Sequence, residues 1–205
     1  YDEKARDLAK RLSSILKGKA KDSVVALKVK NCPEWPLLFW AILMNGFRPL
    51  LIDARLAKEN TANLLRQGKA IALIANEVED YDVPLIRVNN IEGGVVDSEF
   101  VENWANHILF CSSGTTGDAK ILIWDGDNII AQVVAAQNIP GNSWTLIYPG
   151  KIRILAMIPL HHIFGFVAVF LWFSFYGTAI VYPSSTATKD LLHAVKAGKC
   201  THVFS

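Results

Sequence analysis

From residue 154 to residue 188 the chain carries no Lys, Arg, Asp or Glu, and no other feature narrows its possible folds as much. The central part, residues 163–182 (IFGFVAVFLWFSFYGTAIVY), is long enough to cross a bilayer as one helix. Its punctuation argues for a different structure. Pro159 follows a β-like run over 154–158, Gly165 precedes a helix-length run ending near Tyr176, and Gly177 stands where a helix stops before β-branched Thr178, Ile180 and Val181. The expected order is strand, turn, helix, turn, strand, with no membrane span. Continuous apolar runs of this kind suit strands and helices covered on every side, as in a parallel sheet with helices on both faces.

The rest of the chain alternates in the same way. A β-branched run over 23–29 precedes Asn31, read as the cap of a helix with Pro33, Glu34 and Pro36 in its first turn and Asn45-Gly46 at its end. A strand over 49–52, a helix over 57–67 closed by Gly68, and strands over 70–75 and 85–88 follow. Residues 76–106 are polar and read as a surface connection. Strands over 107–112 and 120–124 and a helix over 127–138 lead into the apolar stretch, and a short strand over 201–204 comes last. The charged segment 2–12 reads as the solvated face of a helix. The predicted fold is α/β, a doubly wound, mostly parallel sheet with helices on both faces. No internal repeat is evident.

Composition excludes several classes. Hydrophobic residues make up 51% and charged residues 20% of the 205, which does not fit a disordered chain or a disulfide scaffold. Twenty-one Lys and Arg against nineteen Asp and Glu leave a net charge of +2 without a basic stripe, so no nucleic-acid partner is expected. Cys32, Cys111 and Cys200 have no metal-like spacing and suit a reducing compartment, which points to the cytoplasm. The chain opens on Tyr1 without an apolar leader, and its last element is strand-like. The expectation is a segment of a longer protein, with an uncovered sheet edge that would favour self-association.

The chemistry is concentrated in residues 107–124, HILFCSSGTTGDAKILIW. An apolar strand runs into Ser112, Ser113, Gly114, Thr115, Thr116 and Gly117, with Lys120 three residues on. Two glycines let the backbone turn tightly, hydroxyls and amides supply donors, and Lys120 supplies a positive charge, which together suit a phosphate cradle. The spacing is not that of a Walker A loop. A plain turn between two strands is the alternative that these residues leave open.

The segment Phe110-Cys111-Ser112-Ser113-Gly114-Thr115-Thr116-Gly117-Asp118-Ala119-Lys120 resembles the signature loop of the adenylate-forming superfamily of acyl-CoA synthetases, peptide-synthetase adenylation domains and luciferases. Asn128 falls where that family has an Asn in the next helix, and Pro159-Leu160-His161-His162-Ile163-Phe164-Gly165 is similar to its Pro-Leu-Phe-His-x-x-Gly motif. NCPEW at 31–35 and NGFRPLLIDARL at 45–56 resemble its early segments, in which the Asp, here Asp53, organises a turn. Ala119, Ile121 and Gly126 depart from the pattern, where Pro, Gly and His are usual.

The resemblance implies that residues 1–205 are the first part of an N-terminal AMP-binding domain, with the C-terminal domain absent. It implies an ATP-dependent ligase that converts a carboxylic acid to an acyl adenylate and passes it to a thiol, CoA or phosphopantetheine, with Mg²⁺ held mostly by residues outside this chain. Ser112 to Gly117 would hold phosphates, Lys120 would offset charge on the departing pyrophosphate, and His162 would lie beside the acyl group. Phe166 and Phe170, one helical turn apart, are the expected pocket-facing pair. The alternative is a nucleotide- or phosphate-binding fragment, or a degenerate member without turnover. No metal site is expected at His161 and His162, because adjacent helical residues diverge by about 100°.

Overall fold

Every residue of strand β1 (Val24–Lys28) is buried, so the strand lies inside a sheet covered on both faces. The computed structural model describes residues 1–77, 79–112, 120–137, 151–174 and 177–204. The chain forms two units, Tyr1–Asp125 and Gly126–Ser205.

In the first unit the sheet runs β4-β3-β1-β2-β5-β6, with β2 at Arg48–Leu51, β3 at Ala70–Ala75, β4 at Leu85–Arg87, β5 at His107–Cys111 and β6 at Ile121–Asp125. All its pairs are parallel except β5 with β6. The α2 crossover (Glu34–Met44) carries the chain from β1 to β2, and α3 (Lys58–Gln67) carries it back past β1 to β3. Right-handed crossovers in opposite directions put the two helices on opposite faces. On the α3 face, Leu64 and Leu65 pack with Val24, Ala26, Leu50 and Leu109. The helix α1 (Asp2–Ile15) lies against α2 through Ala5, Leu8, Ala9 and Leu12, a stripe at helical spacing. Buried Asn45 joins the two helices, its Nδ2 donating to the carbonyls of Ala9 and Ala41, each at 2.9 Å. The predicted α/β class and mostly parallel sheet are thus present.

The second unit has its own three-stranded parallel sheet, β8-β7-β9, from Arg153–Leu155 (β7), Ala179–Val181 (β8) and His202–Val203 (β9). The apolar stretch between β7 and β8 holds a π-helix, Gly165–Leu171, continued by the short α6 (Trp172–Ser174). The unit opens with α5 (Gly126–Gln137), and α7 (Thr188–Ala197) connects β8 to β9. No helix among the described residues is long and apolar enough to cross a membrane.

Several local expectations change. Asn31 is not the cap of α2, which starts at Glu34 with Pro33 in the cap position. The strand expected over 154–158 stops at Leu155, because the Met157 N–H turns back to the Leu155 carbonyl at 2.9 Å. Asp53 does organise a turn, its Oδ1 accepting the Arg55 N–H at 2.9 Å. The connection over 76–106 is more structured than expected. It contains α4 (Val88–Glu92), and the N–H groups of Asn103 and Ala105 donate to the carbonyls of Met44 and Leu43 at 2.9 and 3.0 Å.

The same connection is tied to α1 at Asp97. The Ser13 hydroxyl donates to one Asp97 oxygen at 2.7 Å and the Glu99 N–H to the other at 3.0 Å. These bonds, Ser13 first, hold the Asp97 carboxyl below its ordinary value. A depressed folded pKa contributes stability above the unfolded value and loses it as pH falls through the folded one. Ser13→Ala is therefore expected to move the Asp97 titration upward in an NMR pH series and to destabilise the fold less in strong acid than at neutral pH. An unmoved Asp97 midpoint would contradict the assignment.

Candidate functional site

In sequence the glycine-rich segment falls between β5 and β6. The two strands pair antiparallel from His107 with Asp125 to Cys111 with Ile121, and Phe110 meets Trp124 edge-on with ring centroids 5.7 Å apart. Two further bonds close the stem: the Ser112 N–H donates to the Lys120 carbonyl at 2.8 Å, and the Lys120 N–H donates to Ser112 Oγ at 3.2 Å. Ser112 and Lys120 are thereby brought together, with Lys120 exposed at the end of the stem. Ser113, Gly114, Thr115, Thr116 and Gly117 lie outside the described residues.

The surroundings of the stem are apolar. Burial pushes the Cys111 thiol up to about 12, which keeps it protonated and weakly nucleophilic at neutral pH and suits a packing role. Ile121, where the resembling family has Gly, packs against the cluster of Leu50, Leu64 and Leu109. The departure therefore fills the face of the sheet beside α3.

In the other unit, the residues singled out by the second motif lie in the turn that enters the π-helix. The His162 N–H donates to the Pro159 carbonyl at 3.1 Å, and the His162 carbonyl accepts the Phe166 N–H at 2.8 Å. Phe164 N–H donates to His162 Nδ1 at 3.3 Å, so the neutral ring carries its proton on Nε2. His162 is exposed, whereas Phe166 and Phe170 are 1% and 2% exposed and meet edge-on at 5.5 Å. Gly165 has a steric reason that spacing alone did not reveal: a Cβ there would lie 2.1 Å from the Pro159 carbonyl oxygen. Asn128 falls in the first turn of α5. Among the described residues no group of three or more His, Cys, Asp or Glu is arranged to hold a metal ion.

A family model described as AMP-binding enzyme matches residues 1–205, and the chain belongs to that family. It is 26% identical over 203 residues to 4-coumarate–CoA ligase 1 of Solanum tuberosum, covering 88% of this chain and 37% of that enzyme. It is 23% identical over 187 residues to 4-chlorobenzoate–CoA ligase of an Arthrobacter species, covering 80% of this chain and 35% of that one. The chain thus spans little more than a third of the length of these curated relatives. Its fold is that of o-succinylbenzoate CoA synthetase from Bacillus subtilis, solved in complex with an acyl-adenylate intermediate. The TM-score is 0.82 at 20% identity, with 98% of this chain and 53% of that chain covered.

Proposed function

We propose that residues 1–205 supply the first part of the N-terminal AMP-binding domain of an ATP-dependent ligase. The enzyme would activate a carboxylic acid as its acyl adenylate and transfer it to a thiol, most simply that of CoA. The observation that carries this reading is the closed stem of Ser112 and Lys120, joined to membership of the AMP-binding family. A loop fixed at both ends can hold amides and hydroxyls at set positions around a phosphate chain.

In the adenylation step the carboxylate oxygen attacks the α-phosphorus of ATP, and the bond to the β-phosphate oxygen breaks, releasing pyrophosphate. The role assigned to this chain is electrostatic. Lys120 and the donors from Ser112 to Gly117 hold the β- and γ-phosphates and stabilise charge on the leaving group. His162 is assigned to the acyl side, with its Nε2–H as donor. Phe166 and Phe170, packed on each other, support the helix behind that turn. Mg²⁺, when bound with ATP, would neutralise further phosphate charge. Among the described residues no cluster of His, Cys, Asp or Glu is arranged to hold it.

Titration with pyrophosphate, followed by amide chemical shifts, should move Ser113 to Gly117 and Lys120. Lys120→Ala should weaken binding about tenfold, as loss of one charge-assisted contact implies, and His162→Ala should leave it unchanged. Shifts confined to residues around His162 would end the assignment. Carboxylate-dependent exchange of labelled pyrophosphate into ATP by the enzyme that carries this segment separates ligase activity from binding without turnover, the reading that Ala119 and Ile121 favour.

A further inference from the structure

The six-stranded sheet has a cleft where β1, β2 and β3 begin. Its volume is about 500 Å³ and its rim carries Lys21, Arg48 and Lys69 against one carboxylate, Asp22. Leu109, Ile121 and Ile123 line the apolar side, and Ile123 is 55% exposed. Asp22 is already engaged: Arg48 Nε donates to its carbonyl at 2.7 Å and lies 3.4 Å from its carboxylate. Lys21 is fixed by donation from Nζ to the Asn45 carbonyl at 2.8 Å and by the Phe47 ring, 5.1 Å away. The cleft is therefore net cationic, with an open hydrocarbon wall beside the charges.

Its backbone is unusual as well. Asp22 and Lys69 both line the cleft and both have left-handed backbone, with φ of 62° and 49°, a conformation that favours glycine. At the end of α3 the Gly68 N–H donates to the Leu64 carbonyl and the Lys69 N–H to that of Arg66, at 2.8 and 3.1 Å. Gly68 is held by packing, because a Cβ there would meet Leu50 Cδ2 at 2.9 Å, so the left-handed position falls to Lys69. The same turn recurs at Gly198 and Lys199, which makes its shape a helix-end device. What distinguishes Lys69 is that the turn sets it on the rim of the cleft.

We infer that this cleft binds an oxyanion carried on an apolar body, a phosphate monoester of an alkyl chain, with Lys69 and Arg48 at the phosphate and Ile121 and Ile123 along the chain. Exposed cations attract the phosphate without the cost of burying it unpaired, and the open wall gives the chain apolar surface to cover. Inorganic phosphate lacks that second contribution and should bind the same residues more weakly.

The test is a titration of the 205-residue chain with decyl phosphate below its micelle concentration, followed by amide shifts. Shifts are expected at residues 21–24, 48 and 67–69. Lys69→Gly should weaken binding about threefold, in line with one exposed charge, while raising the thermal midpoint by about 2 °C because glycine suits the turn. Lys69→Arg should retain binding, and Gln67→Glu, which leaves the turn alone, should weaken it. Co-sedimentation with phosphatidic acid vesicles that Lys69→Gly reduces would identify a lipid headgroup as the source. Binding of monomeric decyl phosphate without co-sedimentation would identify a soluble amphiphile. Unchanged affinity in both Lys69→Gly and Gln67→Glu, or shifts confined to 112–120 and 126–137, overturns the inference.

Discussion

Replacing Gly165 with alanine is expected to destabilise the second unit by about 3 kcal/mol, near the upper end for overpacking a close contact. The added methyl would lie 2.1 Å from the Pro159 carbonyl oxygen and 2.9 Å from its carbon, and backbone cannot swing aside as a flexible side chain can. Moving that carbonyl also breaks its bond from the His162 N–H, so the variant should disturb the His162 turn and the packing at once. Gly177→Ala is the control. Gly177 has φ of 64° with nothing within 4 Å of an added Cβ, so its loss should be confined to left-handed strain of about 1 kcal/mol. Chemical denaturation followed through signals of residues 151–204 measures both. If Gly165→Ala unfolds at the same denaturant concentration as the parent chain, the carbonyl moves at no cost and the steric account of this glycine is wrong.

That glycine illustrates which parts of the molecule were legible in the sequence. Its place in a motif could be read from spacing, but the reason for it is a contact between residues 159 and 165 that exists only after the turn has formed. The alternating strands and helices were legible because burial on both faces demands apolar runs and the turns between them demand Gly, Pro and Asn. The connection over 88–105 was not, since backbone bonds from Asn103 and Ala105 to α2 hold it in place and leave no side-chain pattern. Helix α7 was missed, although Leu191, Leu192 and Val195 recur at helical spacing. The repeated topology was also hidden. Strand orders β3-β1-β2 and β9-β7-β8 place the first strand of each trio in the middle, yet no sequence repeat accompanies them, because crossover direction and handedness set the order. For the candidate site, residue type singles out Ser112 and Lys120, but the pair of bonds between them was not legible. The one-turn spacing of Phe166 and Phe170 allows their rings to meet, as they do, while their burial against each other depends on packing no linear pattern encodes.

A buried ion pair at the end of β1 should respond asymmetrically to mutation. The Lys28 side chain is 1% exposed and its Nζ lies 2.6 Å from Glu77 Oε2, while the Glu77 side chain is 37% exposed. By strand alternation Lys28 shares the α3 face with Val24 and Ala26, so the ammonium has lost its water on an otherwise apolar surface and the carboxylate offsets that loss. Glu77→Gln removes the offset and leaves the charge buried, with an expected cost of about 2 kcal/mol, less than for a wholly buried pair because water reaches Glu77. Lys28→Met removes the charge itself and fills the same space with hydrocarbon, so stability should stay within about 1 kcal/mol of the parent or rise. The double variant should match Lys28→Met, since Glu77 then has nothing left to neutralise. Urea denaturation of the four proteins gives the coupling directly. Should Lys28→Met cost as much as Glu77→Gln, the pair would be a net source of stability, and the desolvation argument for this end of the sheet would fail. The location gives the result a bearing on the site: Lys28 is in register with Ala75 at the carboxyl end of β1, and β5, parallel to its neighbour β2, runs toward that same end and into Ser112. A pair that costs stability here while holding the ends of β1 and β3 together would be a device for positioning the end of the sheet from which the chain leaves β5 at Ser112.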